Sequence, residues 1–234
     1  AYEIKECDWS SDVCSSDLSL KSDTLQASPP LGLAILIGKT PMTQVTNTVR
    51  FVLDGQIVEA VGVRRTTTVL DHLRETLHRT GTKEGCAEGD CGACVVMVGE
   101  LAPDGQSIDY VAVNSCIQLL PSLDGKSIKT VESLKNPDGT LHPVQQEMIE
   151  CHGSQCGFCT PGIVMSLVNL VQKNSSPSRL QITDSLSGNL CRCTGYKPII
   201  ESAQKACARP AELKLKDSAD VPLLKEIEIG RAHV

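Results

Sequence analysis

The sequence predicts an α+β chain in two halves: a small strand-rich domain built round one helix, then a bundle of four helices. Three observations carry this. Strand-like alternation dominates as far as Val113, whereas helical periodicity takes over from Pro143. Proline stands at the start of three of the four helical runs, where its missing N–H costs nothing. Eight of the twelve cysteines fall into two sets, one in each half.

In the first half, Arg50-Phe51-Val52-Leu53 alternates, turns at Asp54-Gly55 and resumes at Gln56-Ile57-Val58, the pattern of a β-hairpin. A helix is expected next. Thr68 suits its N-cap with Asp71 three residues on, Val69, Leu70, Leu73 and Leu77 share a face, and Gly81 suits its end. Val95-Val96-Met97-Val98 and Ile108 to Val113 read as further strands, and Cys116 opens a short apolar turn. Strands flanking one helix predict a β-grasp, ferredoxin-like domain over residues 42–126.

After a connecting segment containing Ile128 and Val131, helices are expected over Pro143 to Cys151, Pro161 to Lys173, Leu180 to Leu186 and Pro198 to Ala208. They make a helical domain over residues 127–210, a four-helix bundle whose core takes Met165, Leu167, Val168 and Leu170. Residues 211–234 are charged and thinly apolar and read as a linker or an artefactual tail. Residues 1–41 are rich in Ser and Asp, hold Pro29-Pro30 and show no sustained period. They read as a disordered or artefactual leader, in which Cys7, Cys14 and Trp9 carry no structural role.

The cysteines carry the chemistry. Cys86, Cys91 and Cys94, with a distant Cys116, have the plant-type spacing of a [2Fe-2S] cluster, and Gly85, Gly89 and Gly92 let the chain wrap closely round it. The second set is Cys156 and Cys159 with Cys191 and Cys193, brought together if two helical hairpins pack loop to loop. A four-cysteine zinc site is the competing reading, but zinc sites favour two CxxC pairs, and neither set has that form. Cys151 stands five positions before Cys156 and could be recruited as a ligand. It reads instead as a helix-borne thiol, as does Cys207, because Cys191 and Cys193 already complete the set. His152 reads as a helix-end residue, and Arg192 either offsets the charge of its neighbouring thiolates or meets a partner. No catalytic residue is identified.

Three stretches resemble the iron-sulfur part of the xanthine dehydrogenase family of molybdenum hydroxylases, most closely the bacterial small subunit. They are Thr82 to Cys94 (TKEGCAEGDCGAC), His152 to Gly162 (HGSQCGFCTPG) and Gly188 to Tyr196 (GNLCRCTGY), within a likeness that covers about residues 46 to 208. The resemblance implies two [2Fe-2S] clusters that pass electrons from a molybdopterin centre to FAD and NAD. It also implies that Gln155 hydrogen-bonds the pterin beside Cys193, so that the second cluster is the entry point. Molybdopterin and FAD are expected on partner subunits or domains: a molybdopterin-binding large subunit, and a FAD domain lost by truncation or carried on a separate chain. A related aldehyde, heterocycle or carbon monoxide dehydrogenase and a free-standing ferredoxin carrier remain open.

Composition sets the outer limits. Two Phe, three Tyr and one Trp in 234 residues leave aliphatic cores, which profit from metal staples. A net charge of −6 with no basic run excludes a nucleic-acid footprint. The apolar run Leu31 to Ile37 is too short to span a bilayer, so a cytoplasmic protein is expected, in a compartment that keeps thiols reduced.

Overall fold

The computed structural model describes residues 48–232 apart from 137 and 216. The leader, with Cys7, Cys14 and Trp9, lies outside the described residues. Strands β1 (Thr48–Leu53) and β2 (Gln56–Val61) form the expected antiparallel hairpin. Both Asp54 (φ 51°) and Gly55 (φ 72°) are left-handed at its two-residue turn, as a primed hairpin turn requires. Strands β3 (Val95–Leu101) and β4 (Ile108–Asn114) form a second antiparallel pair, and β5 (Ser127–Lys129) completes one five-stranded sheet of order β2-β1-β5-β3-β4. β5 runs parallel to β1 and antiparallel to β3. Ser127 to Lys129, expected to begin the helical half, therefore lie at the centre of the sheet.

The sheet is covered on both faces. Phe51, Leu53, Val96, Val98 and Ile128 pack beneath Val69 and Leu73, whereas Val52, Val95 and Met97 join the core of the helical half. A strand buried on both faces needs a continuous apolar run rather than alternation, which accounts for Val95-Val96-Met97-Val98. Thr68 caps helix α1 (Val69–Asp71) through a reciprocal bond with Asp71, as expected. The helix then widens into a π-helical turn, His72–Thr76, and stops at Leu77, with His78 left-handed at φ 55°. Gly81 is thus not its cap; its N–H meets Glu132 Oε1 at 2.9 Å.

The helical half holds α2 (Pro143–Glu150), α3 (Thr160–Lys173), α4 (Arg179–Ser185) and α5 (Lys197–Ala206), each within a few residues of its expected span. Met165, Leu167 and Val168 are fully buried on α3, and Leu170 is packed against them. The C-terminal segment departs from the linker reading. Residues Asp220–Ala232 form α6, which buries Leu224 and Ile227 in the same core. Lys129 Nζ meets Asp220 Oδ2 at 2.6 Å with both side chains buried, and Ser127 Oγ donates to the same carboxylate at 2.9 Å. A buried ion pair joining β5 to α6 makes this helix part of the fold.

Candidate metal centres

Both cysteine sets lie in loops whose backbones bend through left-handed residues. Ala87, Gly89 and Gly92 have φ of 57°, 84° and 69° in the first loop, and Gly157 and Gly195 have φ of 84° and 65° in the second. Bends of this kind turn successive N–H groups inward and so favour anionic sulfur. Cys86 Sγ accepts the N–H groups of Asp90 and Cys91, each at 3.3 Å. Backbone N–H groups, that of Glu88 foremost, bring its thiol down to about 7.

The eight thiols converge two by two. Cys94 Sγ lies 3.4 Å from Cys116 Sγ, and Cys156 Sγ lies 3.7 Å from Cys193 Sγ. Cys91 is the thiol neighbour that acts on Cys86, and Cys191 the one that acts on Cys159. Two thiolates held by one tetrahedral metal at about 2.3 Å stand roughly 3.8 Å apart, close to these separations. A two-iron cluster takes two thiolates on each iron, so pairs of pairs suit it.

Electrostatics point the same way. Burial first, then neighbouring Cys94, pushes the Cys116 thiol up to about 12. Burial and then Cys191 push Cys159 up to about 12. Burial also raises Cys191, but the Thr194 hydroxyl and the N–H groups of Thr194 and Cys193 outweigh it and hold that thiol below its ordinary value. Buried thiolates in contact repel each other, and a cationic metal core removes that cost.

Backbone contact joins the two sets. Leu190 N–H donates to Cys91 O at 2.9 Å, and Asn189 Nδ2 donates to Gly92 O at 3.0 Å. The approach is so close that a Cβ on Gly92 would lie 2.1 Å from Gly188 O, and one on Gly162 would lie 1.9 Å from Gly92 O. Only glycine fits at either place. Cys156, Cys193, Gln155 and Arg192 are exposed, with the apolar side chains of Phe158 and Leu190 exposed near them. Cys94 and Cys116 lie buried against Leu70.

Cys151 caps α2, and its thiol meets Lys205 of α5 rather than any of the eight. Cys207 caps α5, where burial raises its thiol. His152 is exposed just beyond α2. Asn189 and Tyr196 stand inside the third motif, yet neither residue type nor spacing marks them as functional. Tyr196 Oη accepts the Cys191 N–H and donates to Asn189 O, both at 2.8 Å. The only signal for either was its place beside the ligands, a buried amide and a phenol amid cysteines.

A sheet with a plant-type cysteine loop, joined to helices that carry a second thiol set, defines a two-cluster iron-sulfur protein. Comparison agrees. Residues 51–119 match the family described as 2Fe-2S iron-sulfur cluster binding domain, and residues 130–204 match the [2Fe-2S] binding domain. Aldehyde oxidase 1 of Rattus norvegicus is 46% identical over 157 residues, 67% of this chain and 12% of that protein. Xanthine dehydrogenase of Emericella nidulans is 44% identical over 187 residues, 79% of this chain and 13% of that protein. Among solved structures, quinoline 2-oxidoreductase from Pseudomonas putida 86 is similar with a TM-score of 0.62 and 32% identity, over 70% of this chain and 95% of that one. The aldehyde oxidoreductase from Desulfovibrio gigas has a TM-score of 0.62 and 33% identity, over 74% of this chain and 18% of that one. The chain belongs to the molybdenum hydroxylase family, whose iron-sulfur region it represents, with two [2Fe-2S]-binding domains. It spans only about an eighth of the oxidase and dehydrogenase relatives.

Proposed function

We propose that the chain is the electron-transfer part of a molybdopterin-dependent hydroxylase, most closely a xanthine dehydrogenase, relaying electrons from the molybdenum centre to FAD and NAD. Cys86, Cys91, Cys94 and Cys116 hold one cluster in a ferredoxin-like domain near residues 42–126. Cys156, Cys159, Cys191 and Cys193 hold the other in a helical domain near residues 127–210. When bound, each [2Fe-2S] cluster takes up and gives back one electron at a time.

The observation that carries this reading is the hydrogen bond from Leu190 N–H to Cys91 O at 2.9 Å. It links the residue after Asn189 and before Cys191 directly to a residue of the other set. The backbones also meet at Gly92 and Gly162, where a Cβ on either glycine would collide with the facing main chain. For a free-standing ferredoxin carrier one cluster would suffice, so two sets joined in this way favour a relay.

Exposure of Gln155, Cys156 and Cys193 supports the second set as the entry side. The Gln155 amide can both donate to and accept from a pterin edge beside Cys193 without adding charge. Phe158 and Leu190 offer an apolar rim for a molybdopterin-binding subunit or domain, and a FAD-binding one completes the path. The substrate is chosen in the molybdopterin part, so an aldehyde, a heterocycle or carbon monoxide is the alternative to xanthine. No described helix is long and apolar enough to cross a membrane, and thiols kept for metal suit the reducing cytoplasm.

Iron and labile-sulfide analysis tests the reading. The purified chain is expected to hold about four irons, two for each dinuclear cluster. Cys91→Ser should remove one EPR signal of the reduced protein and Cys159→Ser the other. Stoichiometric zinc in a colourless protein would refute it. In a reconstituted complex, Gln155→Ala should keep both clusters yet slow their reduction by substrate; unchanged rates would remove Gln155 from the site.

A further inference from the structure

Successive peptide N–H groups beside Cys191 take different partners. That of Leu190 crosses to Cys91 O at 2.9 Å, whereas that of Cys191 turns back to Tyr196 Oη at 2.8 Å. The phenol hydrogen then goes to Asn189 O at 2.8 Å. One hydroxyl thus ties both ends of the Asn189-Leu190-Cys191 segment, which belongs to neither helix nor strand. With its ends held, the middle peptide has little freedom except to face the other loop. Asn189 adds a second tie, its buried Nδ2 on Gly92 O at 3.0 Å.

Tyr196 is itself held in an unfavourable shape. It caps α5 at φ 67°, a left-handed conformation that a bulky side chain keeps only where its surroundings enforce it. Its N–H donates to Thr194 Oγ1 at 3.2 Å, and that oxygen also lies 3.1 Å from Cys191 Sγ. The phenol, the threonine hydroxyl and the ligand loop therefore form one bonded unit on the first turn of α5.

We propose that Tyr196 and Asn189 are positioning residues that set the coupling between the two clusters, by fixing the Leu190 N–H on Cys91 O. This rests on the reading that both thiol sets hold [2Fe-2S] clusters. The phenol also occupies the Cys191 N–H, which would otherwise be free to bond a thiolate sulfur. Losing the hydroxyl therefore changes two things: the orientation of the Leu190 peptide and the hydrogen bonding round Cys191.

The test uses the full chain with both clusters reconstituted and reduced. Two paramagnetic centres this closely joined broaden or split each other's EPR lines, and that effect reads their coupling. Tyr196→Phe keeps the ring and removes the hydroxyl. It should retain about four irons and both signals, shift the g-values of the signal lost in Cys159→Ser, and reduce the mutual splitting. Asn189→Ala should reduce the splitting and leave those g-values in place. Wild-type g-values and splitting in both variants would reduce Tyr196 to a helix cap and overturn the proposal. Should Tyr196→Phe lose the second cluster outright, Asn189→Ala decides alone, and unchanged splitting there overturns the proposal too. A wild-type chain without two signals would instead sink the two-cluster reading itself.

Discussion

Gly162→Ala is the sharpest test of how the two cluster loops pack, because the sign of its effect is informative. Gly162 lies in the first turn of α3 with no left-handed backbone, so alanine is compatible with its own conformation. In an open helix the change would stabilise by about 0.5–1 kcal/mol. Here the new Cβ would stand 1.9 Å from Gly92 O, 2.9 Å from Gly92 C and 3.1 Å from Ala93 C. Real contacts of this kind begin near 3.0 Å, so the loops must part by about 1.1 Å, the difference between 3.0 and 1.9. Gly92 has no room to retreat, since it is left-handed and pressed on Gly188 O from another side. Overpacking costs about 1–3 kcal/mol; a backbone clash this short belongs to the upper half, about 2–3, so after a helix gain of up to about 1 kcal/mol a net loss of about 1–2 kcal/mol remains. For a domain of this size that lowers Tm by about 2–8 °C. Melting followed by circular dichroism and by cluster absorbance measures it. Gly188→Ala is the control, because nothing would meet its Cβ within 4 Å. If Gly162→Ala proves as stable as wild type or more so, the loops do not pack backbone to backbone and the contact argument fails.

Other outcomes follow from the same contacts. Asp220→Ala strands the Lys129 ammonium in the core and should cost about 3–5 kcal/mol in a denaturation midpoint analysis, with much of it recovered in Lys129→Met/Asp220→Leu; a loss under about 1 kcal/mol would mean that α6 is not seated on the sheet. Cys151→Ser should leave both EPR signals intact because its thiol faces Lys205, whereas Cys193→Ser should lose or alter one; the reverse result would make Cys151 the ligand. Burial lowers both His72 and His142, so the unfolded chain binds protons that the folded one refuses. Stability should hold above about pH 7 and fall as pH drops through the ordinary histidine range near 6.5, with a limiting slope of about 1.4 kcal/mol per pH unit for each. His72→Phe, which removes a buried ring nitrogen without a partner, should flatten that slope, and an unchanged slope would refute the assignment.

Local chemistry was legible in the chain. A plant-type loop takes three ligands from nine consecutive residues, so Cys86, Cys91 and Cys94 declare themselves by spacing. Thr68 and Asp71 close a capping box within one turn, Asp54-Gly55 needs only its own two dihedrals, and prolines mark helix starts without reference to anything distant. Tertiary contact alone decided the rest. β5 is three residues long, too short to show alternation, and becomes the central strand only because β1 and β3 offer it partners on both sides. Helix α6 does not gather its apolar residues into one stripe, and its place depends on Leu224, Ile227 and a buried ion pair to Lys129, about ninety residues back in the sequence. The thiol pairs, Cys94 with Cys116 and Cys156 with Cys193, join residues far apart in the chain. So do the ties of Asn189 to Gly92 and Leu190 to Cys91, which bring the two sets together. Spacing reports which residues a short loop can bring to one metal. It is silent on which loops the folded backbone presses against each other, because that depends on packing shared by the whole core.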